Sequence, residues 1–162
     1  MLAAIIRCQG SSEALAATIS ALIPAVAEGF LGHAVIVGAK PDSAVEKLAD
    51  ATGASLVIAA LAESWQAGAR AARGDWLLLL DAGDMPRLDW ARHVERHLIA
   101  SGGQAALMAR DGIWPGLSER VAVMLGSAAL RPGLLASARE VKAGKLDSSP
   151  RRLPVSRERA RV

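Results

Sequence analysis

The sequence predicts an α/β domain in which helices flank a mostly parallel sheet. Short apolar runs alternate four times with segments whose apolar residues recur at helical spacing, a pattern typical of βαβ units with right-handed crossovers. The runs show little polar alternation, as expected for strands that are buried on both faces. The chain has 162 residues, 52% hydrophobic and 22% charged, which is enough for a domain with a core and excludes a disordered chain.

The predicted elements follow one another without an internal repeat. Five strands are expected, at Leu2–Ile6, Ala34–Val37, Ser55–Ile58, Trp76–Leu80 and Ala105–Met108. The helices between them are expected at Glu13–Ala27, with Pro24 as a kink or a break, at Asp42 or Ser43 to Gly53, at Glu63–Arg73, and from Pro86 to Gly102. Their inward faces should include Leu15, Leu22, Val26, Val45, Ala49, Leu88 and Val94.

The pattern weakens after Asp111. A helix at Leu117–Leu125 and a short strand at Gly133–Ser137 are expected there. From Arg139 to Val162 the chain has eight Lys or Arg and three Asp or Glu, so the net charge of this segment is 8 − 3 = +5. The whole chain has a net charge of +3, so the basic character belongs to this segment. The sequence therefore predicts a domain over residues 1–138 and a flexible basic tail over residues 139–162.

Composition bears on location and partners. With four Trp, one Phe and no Tyr, a stacking surface for nucleic acid is not expected, and the basic tail matches no nucleic-acid-binding module. The tail could contact an anionic membrane surface at the inner face, or simply keep the chain soluble. No run is long enough to span a bilayer and no targeting segment is expected. The single Cys8 is expected to be buried and inert. An unpaired cysteine, with no targeting or membrane-spanning segment expected, predicts a cytoplasmic protein.

An acidic motif follows the strongest strand. Asp81 and Asp84 flank Ala82-Gly83 directly after Trp76–Leu80. Ligands of such sheets bind beyond the carboxyl ends of the strands, and carboxylates there can hold a divalent cation against a nucleotide diphosphate. Gly83 would let the backbone approach the ligand closely. Alternatively, Asp84 is only a cap of the helix that follows.

The segment from Gln66 to Asp84 resembles the central block of the family 2 glycosyltransferases. In that family a helix with an Asn-x-Gly and a later Ala-x-Gly leads into an apolar strand that ends in an Asp-x-Asp-type motif. The residues that match here in order and spacing are Gly68, Ala72, Gly74, Asp81 and Asp84. The run from Ile5 to Leu15 also looks like the family's first strand and helix entry, so the resemblance covers roughly residues 2–138.

The resemblance implies a GT-A-like, Rossmann-type fold and transfer of a sugar from a nucleotide-sugar donor to an unknown acceptor. Asp81 and Asp84 would hold Mn²⁺ or Mg²⁺ and the donor diphosphate. Arg7 and Gly10 stand where the family usually has Pro and Asn around the first loop, and Gly38 stands where it has a nucleobase-binding Asp. We include these three residues in the predicted donor site.

The departures from the family leave a second hypothesis open, a catalytically degenerate relative that acts as a binding or interaction module. Gly38 and Ala39 replace the nucleobase-binding acids. No downstream residue matches the family's catalytic base, because Glu140 and Asp147 lie in no recognisable motif, so the catalytic residue is unassigned. A third reading, an unrelated doubly wound nucleotide-binding domain, would need a Gly-rich phosphate loop, which Cys8-Gln9-Gly10-Ser11 matches poorly.

Four further candidates have simpler interpretations. His93 and His97 share a helix face and could bind a metal, but the alternating Arg92 and Arg96 favour a solvated face. Arg7 could contact a phosphate or pair with a local acid such as Glu13. Lys40 could contact a phosphate or be merely solvated. Trp114 could lie near an acceptor or serve in packing.

Overall fold

The predicted α/β class is correct, and the computed structural model describes residues 1–111 and 129–161. Eight strands form one mixed sheet in the order β3-β2-β1-β4-β7-β6-β8-β5. The strands span Leu2–Cys8 (β1), Leu31–Gly38 (β2), Ser55–Ile58 (β3), Trp76–Asp81 (β4), Asp84–Pro86 (β5), Ala106–Arg110 (β6), Leu134–Ser137 (β7) and Arg151–Arg159 (β8). The four strands β3, β2, β1 and β4 are mutually parallel, as the sequence predicts.

Helices cover both faces of this sheet. They span Ser12–Ala27 (α1), Ser43–Thr52 (α2), Ser64–Ala71 (α3), Trp90–Ala100 (α4) and Ala138–Ala143 (α5), with a 3₁₀ turn at Leu61–Glu63. One core lies between the sheet and α1, α2 and α4, and includes Leu15, Val45 and Trp90. The other lies under α3 and α5, around Trp65 and Val141. Alternate residues of β1 enter the two cores, which explains its continuous apolar sequence.

The loops that were predicted to carry the site lie at one edge of the sheet. Arg7 is in register with Val37 on one side and with Asp81 on the other, so the carboxyl ends of β1, β2 and β4 meet. The parallel pairing of β8 with β6 places Arg159 at this edge as well, because β6 runs in the same direction as β4 through the antiparallel β7.

The prediction of a flexible basic tail over residues 139–162 is wrong for the residues that the structure describes. Residues 139–161 contain most of α5 and the whole of β8, which pairs with β6 on one side and β5 on the other. Alternate residues of β8, Leu153, Val155 and Arg157, are buried, so the strand has an apolar inner face despite its basic composition. Most of this segment is therefore part of the folded domain.

Two local expectations are also wrong. Pro86 does not open a helix; it ends the short strand β5, and α4 begins four residues later at Trp90. Leu88 therefore lies in the connecting loop with 96% of its surface exposed, and Val26 is also exposed, on the outer side of α1. The predicted helix at Leu117–Leu125 and the residue Trp114 lie outside the described residues. Within those residues, no helix is long and apolar enough to cross a bilayer.

Candidate functional site

Arg7 and Asp81 form the centre of the candidate site. They form the last residue pair between β1 and β4, and the Arg7 Nε donates to Asp81 Oδ1 at 2.8 Å. The Arg7 guanidinium also lies 4.0 Å from the centre of the Trp65 ring, which gives it a cation–π contact on its second side. Both side chains remain partly exposed, at 16% and 27%, so the pair is accessible from solvent. Arg7 therefore pairs with Asp81 rather than with Glu13.

The turn after Asp81 is fixed to helix α1. The Gly83 N–H donates to the Ala14 carbonyl at 2.9 Å and to Thr18 Oγ1 at 2.7 Å, and Thr18 is fully buried. The Gly83 carbonyl accepts from the Ala160 N–H at 2.8 Å, so the end of β8 closes the turn from the other side. Gly83 has a φ of +95°, a conformation that favours glycine. The turn is thus rigid and held between α1 and β8.

Asp84 has a structural role that the sequence did not indicate. It is 2% exposed, and its carboxylate pairs with Arg157 Nε at 3.2 Å and Arg159 Nη1 at 3.4 Å. The same carboxylate accepts from the Asp81 N–H at 3.1 Å. Asp84 caps no helix, since α4 begins beyond it at Trp90. The capping alternative is therefore wrong.

This arrangement does not fit the metal site that the sequence predicts at Asp81 and Asp84. A divalent cation needs carboxylate oxygens that are open to it. Both Asp84 oxygens are in ion pairs, and one oxygen of Asp81 accepts from Arg7. The guanidinium groups of Arg7, Arg157 and Arg159 pair with these two carboxylates, and their positive charge opposes the binding of a cation there. Within residues 1–111 and 129–161, no group of three or more His, Cys, Asp or Glu could hold a metal.

Two adjoining pockets open at this edge. One, of about 200 Å³, is lined by Arg7, Gln9, Ser11, Ala14, Asp81, Ala82 and Arg159. The other, of about 410 Å³, lies between the ends of β1 and β2 and is lined by Cys8, Gln9, Gly10, Gly38, Ala39, Lys40, Asp42, Val45 and Leu61. The structure therefore brings Arg7 and Asp81 to one pocket and Gly10 and Gly38 to its neighbour. Gln9 is common to both.

Arg157 and Arg159 are functional candidates that sequence reasoning missed. Both belong to β8, and Arg157 also donates to the Met108 carbonyl. Its approach requires Gly133, because a Cβ there would overlap the guanidinium and the Met108 oxygen. The signal that could have found the two arginines is the alternation of Leu153, Val155 and Arg157, which is the period of a strand with one buried face.

Two other predicted candidates have local partners. His93 pairs with Asp89 at 3.1 Å, and His97 hydrogen-bonds the Gln104 carbonyl at 2.8 Å, so the two rings do not form a metal site. Cys8 is buried, as expected. Its Sγ lies 3.8 Å from the Ser11 carbonyl oxygen, at the wall of the larger pocket.

The two downstream acids lie far from this site along the sheet. Glu140 completes a capping box with Ser137, and Asp147 pairs with Arg139. Burial opposes ionisation of Glu140, but hydrogen bonds from Ser137 and from the Asp147 N–H hold its pKa below the usual value. Because Ser137 is in register with Trp76 at the start of β4, both acids belong to the edge opposite Asp81.

Several solved structures are similar to this chain in fold. Glucosyl-3-phosphoglycerate synthase from Mycobacterium tuberculosis, in complex with Mn²⁺, UDP and glucosyl-3-phosphoglycerate, superposes with a TM-score of 0.70 over 100% of this chain and 72% of its own, at 15% identity. Mannosyl-3-phosphoglycerate synthase from Rubrobacter xylanophilus superposes with a TM-score of 0.63 at 14% identity, over 86% of this chain and 54% of its own. Residues 1–349 of TarS from S. aureus superpose with a TM-score of 0.60 at 11% identity, over 88% of this chain and 49% of that structure.

The chain has a GT-A-like fold. Similar structures are GT-A-type glycosyltransferases, and the eight-stranded sheet with its flanking helices corresponds to theirs. No protein-family model matches the chain, and no curated protein matches it in sequence. The chain spans about half the length of two of the three structures named above. At these identities the likeness to solved structures shows the fold alone.

Proposed function

We propose that this chain binds a nucleotide-sugar donor and transfers the sugar to an acceptor hydroxyl. The observation that carries the proposal is the pair of adjoining pockets at the carboxyl ends of β1, β2 and β4. This edge is where ligands of parallel α/β sheets bind. The M. tuberculosis structure with the same fold is a complex with UDP, which makes uridine nucleotides the first ligands to try.

The two pockets suit two parts of such a donor. The larger is lined mainly by small and apolar residues, with Gly10 and Gly38 leaving room for a flat ring, and would take the nucleoside. The smaller holds the Arg7 and Arg159 guanidinium groups and would take the diphosphate. Gln9, which lines both, would lie where the two parts join.

In the transfer reaction, the acceptor oxygen would form a bond to the anomeric carbon while the bond from that carbon to the diphosphate oxygen breaks. The nucleoside diphosphate would leave with the electron pair, and the hydroxyl proton would pass to a base. Arg7 and Arg159 would stabilise the negative charge that develops on the leaving diphosphate. We assign no base, since Glu140 and Asp147 lie at the opposite edge.

A second function, a binding module without catalysis, is favoured by two observations. Gly38 and Ala39 offer no carboxylate to a nucleobase, and Asp84 is engaged in buried ion pairs. The same ion pairs disfavour the predicted Mn²⁺ or Mg²⁺ at Asp81 and Asp84, because both Asp84 oxygens are engaged in them.

Calorimetric titration with UDP, GDP and ADP tests the proposed donor site. We expect one of them to bind with a dissociation constant below the millimolar range, and Arg7→Gln to weaken it. Arg96→Gln, on the exposed side of α4, is the matched control for loss of one positive charge. Absence of binding at millimolar nucleotide would overturn the proposal. Release of UDP from UDP-glucose, with 3-phosphoglycerate as a trial acceptor, then separates a transferase from a binding module.

A further inference from the structure

The end of β8 reaches into the smaller pocket. Arg159 lines this pocket with 44% of its side chain exposed. Its guanidinium carbon lies 3.2 Å from the position that a Cβ on Gly83 would occupy, so a side chain at Gly83 would displace it. The hydrogen bond from the Ala160 N–H to the Gly83 carbonyl fixes the backbone next to Arg159. Arg159 is therefore placed beside the turn that follows Asp81.

The charge of Arg159 is only partly balanced. Its ion pair with Asp84 is 3.4 Å long, and that carboxylate is shared with Arg157, which approaches to 3.2 Å from the buried side. Arg7, on the other side of the pocket, is paired at 2.8 Å with Asp81. An anion that enters the pocket would meet the exposed face of Arg159 and the edge of Arg7, and both guanidinium groups are planar forks suited to phosphate oxygens.

The backbone around the pocket also suits an anion. Helix α1 begins at its rim, with Ser11 as the N-cap, and the positive end of a 16-residue helix dipole favours negative charge. A divalent cation would instead meet two guanidinium charges and the buried carboxylate of Asp84, which is already paired. The same features that exclude the cation thus provide the positive charge that a diphosphate needs.

We propose that this pocket binds the diphosphate of the nucleotide directly through Arg7 and Arg159, without a divalent cation. The inference rests on the proposed donor site and deepens it. Arg159 takes over the neutralisation of phosphate charge, and Asp81 holds Arg7 in position rather than binding a metal. Asp84 in turn holds Arg159 at the pocket rim.

Titration of UDP in EDTA and in Mn²⁺ tests this directly, with uridine and inorganic pyrophosphate as further probes. We expect UDP affinity to agree within about twofold in the two buffers, pyrophosphate to compete with UDP, and uridine to bind much more weakly. Arg159→Gln should lower UDP affinity by about tenfold or more, the size expected for losing a charged hydrogen bond. Arg159→Lys should keep part of the affinity, because it keeps the charge but loses the fork.

Arg152→Gln is the matched control, an exposed arginine at the opposite end of the same strand, and should leave affinity unchanged. Melting curves of all variants show whether Arg159→Gln acts through the fold. Binding that requires Mn²⁺, or an Arg159→Gln variant with wild-type affinity, would overturn the metal-free inference and leave the donor site standing. Absence of UDP binding in both buffers would overturn the two together.

Discussion

Asp84 is a buried residue whose carboxylate is engaged in ion pairs. Its position three residues after Asp81 suggests a cation ligand, but in the structure it is the buried partner of Arg157 and Arg159. The two side chains of the closer pair are each 3% exposed. Removing one member of such a pair leaves an uncompensated buried charge, which costs far more than loss of a surface ion pair.

Asp84→Ala should therefore lower the free energy of unfolding by about 3–5 kcal/mol, measured by urea denaturation. Asp81→Asn is the matched variant, because Asp81 is also paired with an arginine but is 27% exposed, and its cost should be clearly smaller. The double variant Asp84→Ala/Arg157→Met should recover part of the loss, since no buried guanidinium is left behind. Equal costs for Asp84→Ala and Asp81→Asn would contradict the structural role of Asp84.

Gly133 permits the same buried network. It has a φ of +83°, and a Cβ there would overlap the Arg157 guanidinium and the Met108 carbonyl oxygen. Gly133→Ala should thus cost about 1–3 kcal/mol beyond the backbone strain itself. Gly29→Ala is the control, because Gly29 has a similar φ of +71° and no atom within 4 Å of its would-be Cβ. Similar chemical-denaturation midpoints for the two variants would contradict the close approach of Arg157.

At the scale of elements, His33 joins three of them. It lies on β2, its Nε2 is 3.1 Å from Ser55 Oγ on β3, and its Nδ1 accepts from the Arg73 N–H, just beyond α3, at 3.1 Å. Burial, and then the positive charge of Arg73, lower the pKa of His33. The acceptor role of Nδ1 also requires the neutral ring in the folded state.

Because the folded-state pKa of His33 lies below the unfolded value of about 6.5, its contribution to stability is full above that pH and is lost as the pH falls. We expect the free energy of unfolding to decrease between about pH 7 and about pH 5.5 by more in the wild type than in His33→Gln. Denaturant titrations across this range measure the difference. A wild type and a variant with parallel pH profiles would contradict the coupling of His33 to the fold.

The elements also differ in how far the sequence could predict them. The strands β1 to β4 contain short apolar runs, and these runs predict the parallel part of the sheet. They do not predict the pairing of Arg7 with Asp81, because that pairing depends on which strand lies beside β1 and in which register. Strand β8 was not predictable in the same way, because charged residues outnumber its three buried positions and one of those is Arg157. The alternation of Leu153, Val155 and Arg157 indicates a strand, but the burial of Arg157 depends on its pairing with Asp84, 73 residues earlier in the chain.

At the scale of the whole molecule, β8 ties the end of the chain to the candidate site. It lies between β6 and β5 in the sheet, buries Leu153 and Val155, and supplies both arginines that face Asp84. Removal of a tail free in solution would leave the stability of the domain unchanged. Removal of β8 should lower it, because the strand lies inside the sheet.

Deletion of residues 150–162 should therefore lower the melting temperature by about 10–20 °C, from the loss of two buried side chains worth about 1.5–3 kcal/mol each. Calorimetry or circular dichroism measures this shift. The variant Arg151→Gln/Arg152→Gln controls for charge, since it removes two exposed arginines and leaves the strand in place. A truncated protein that melts like the wild type would show that β8 contributes nothing to the fold.

The most direct test of the central claim, a nucleotide site at the carboxyl ends of β1, β2 and β4, is to map amide chemical shifts by NMR as UDP is added. The account predicts that the amides of Gly10, Gly38, Gly83 and Ala160 shift in a saturable way, while Gly74, at the start of β4 on the opposite edge, stays unchanged. Saturable shifts confined to the edge around Gly74, or no shifts at millimolar UDP, would contradict it.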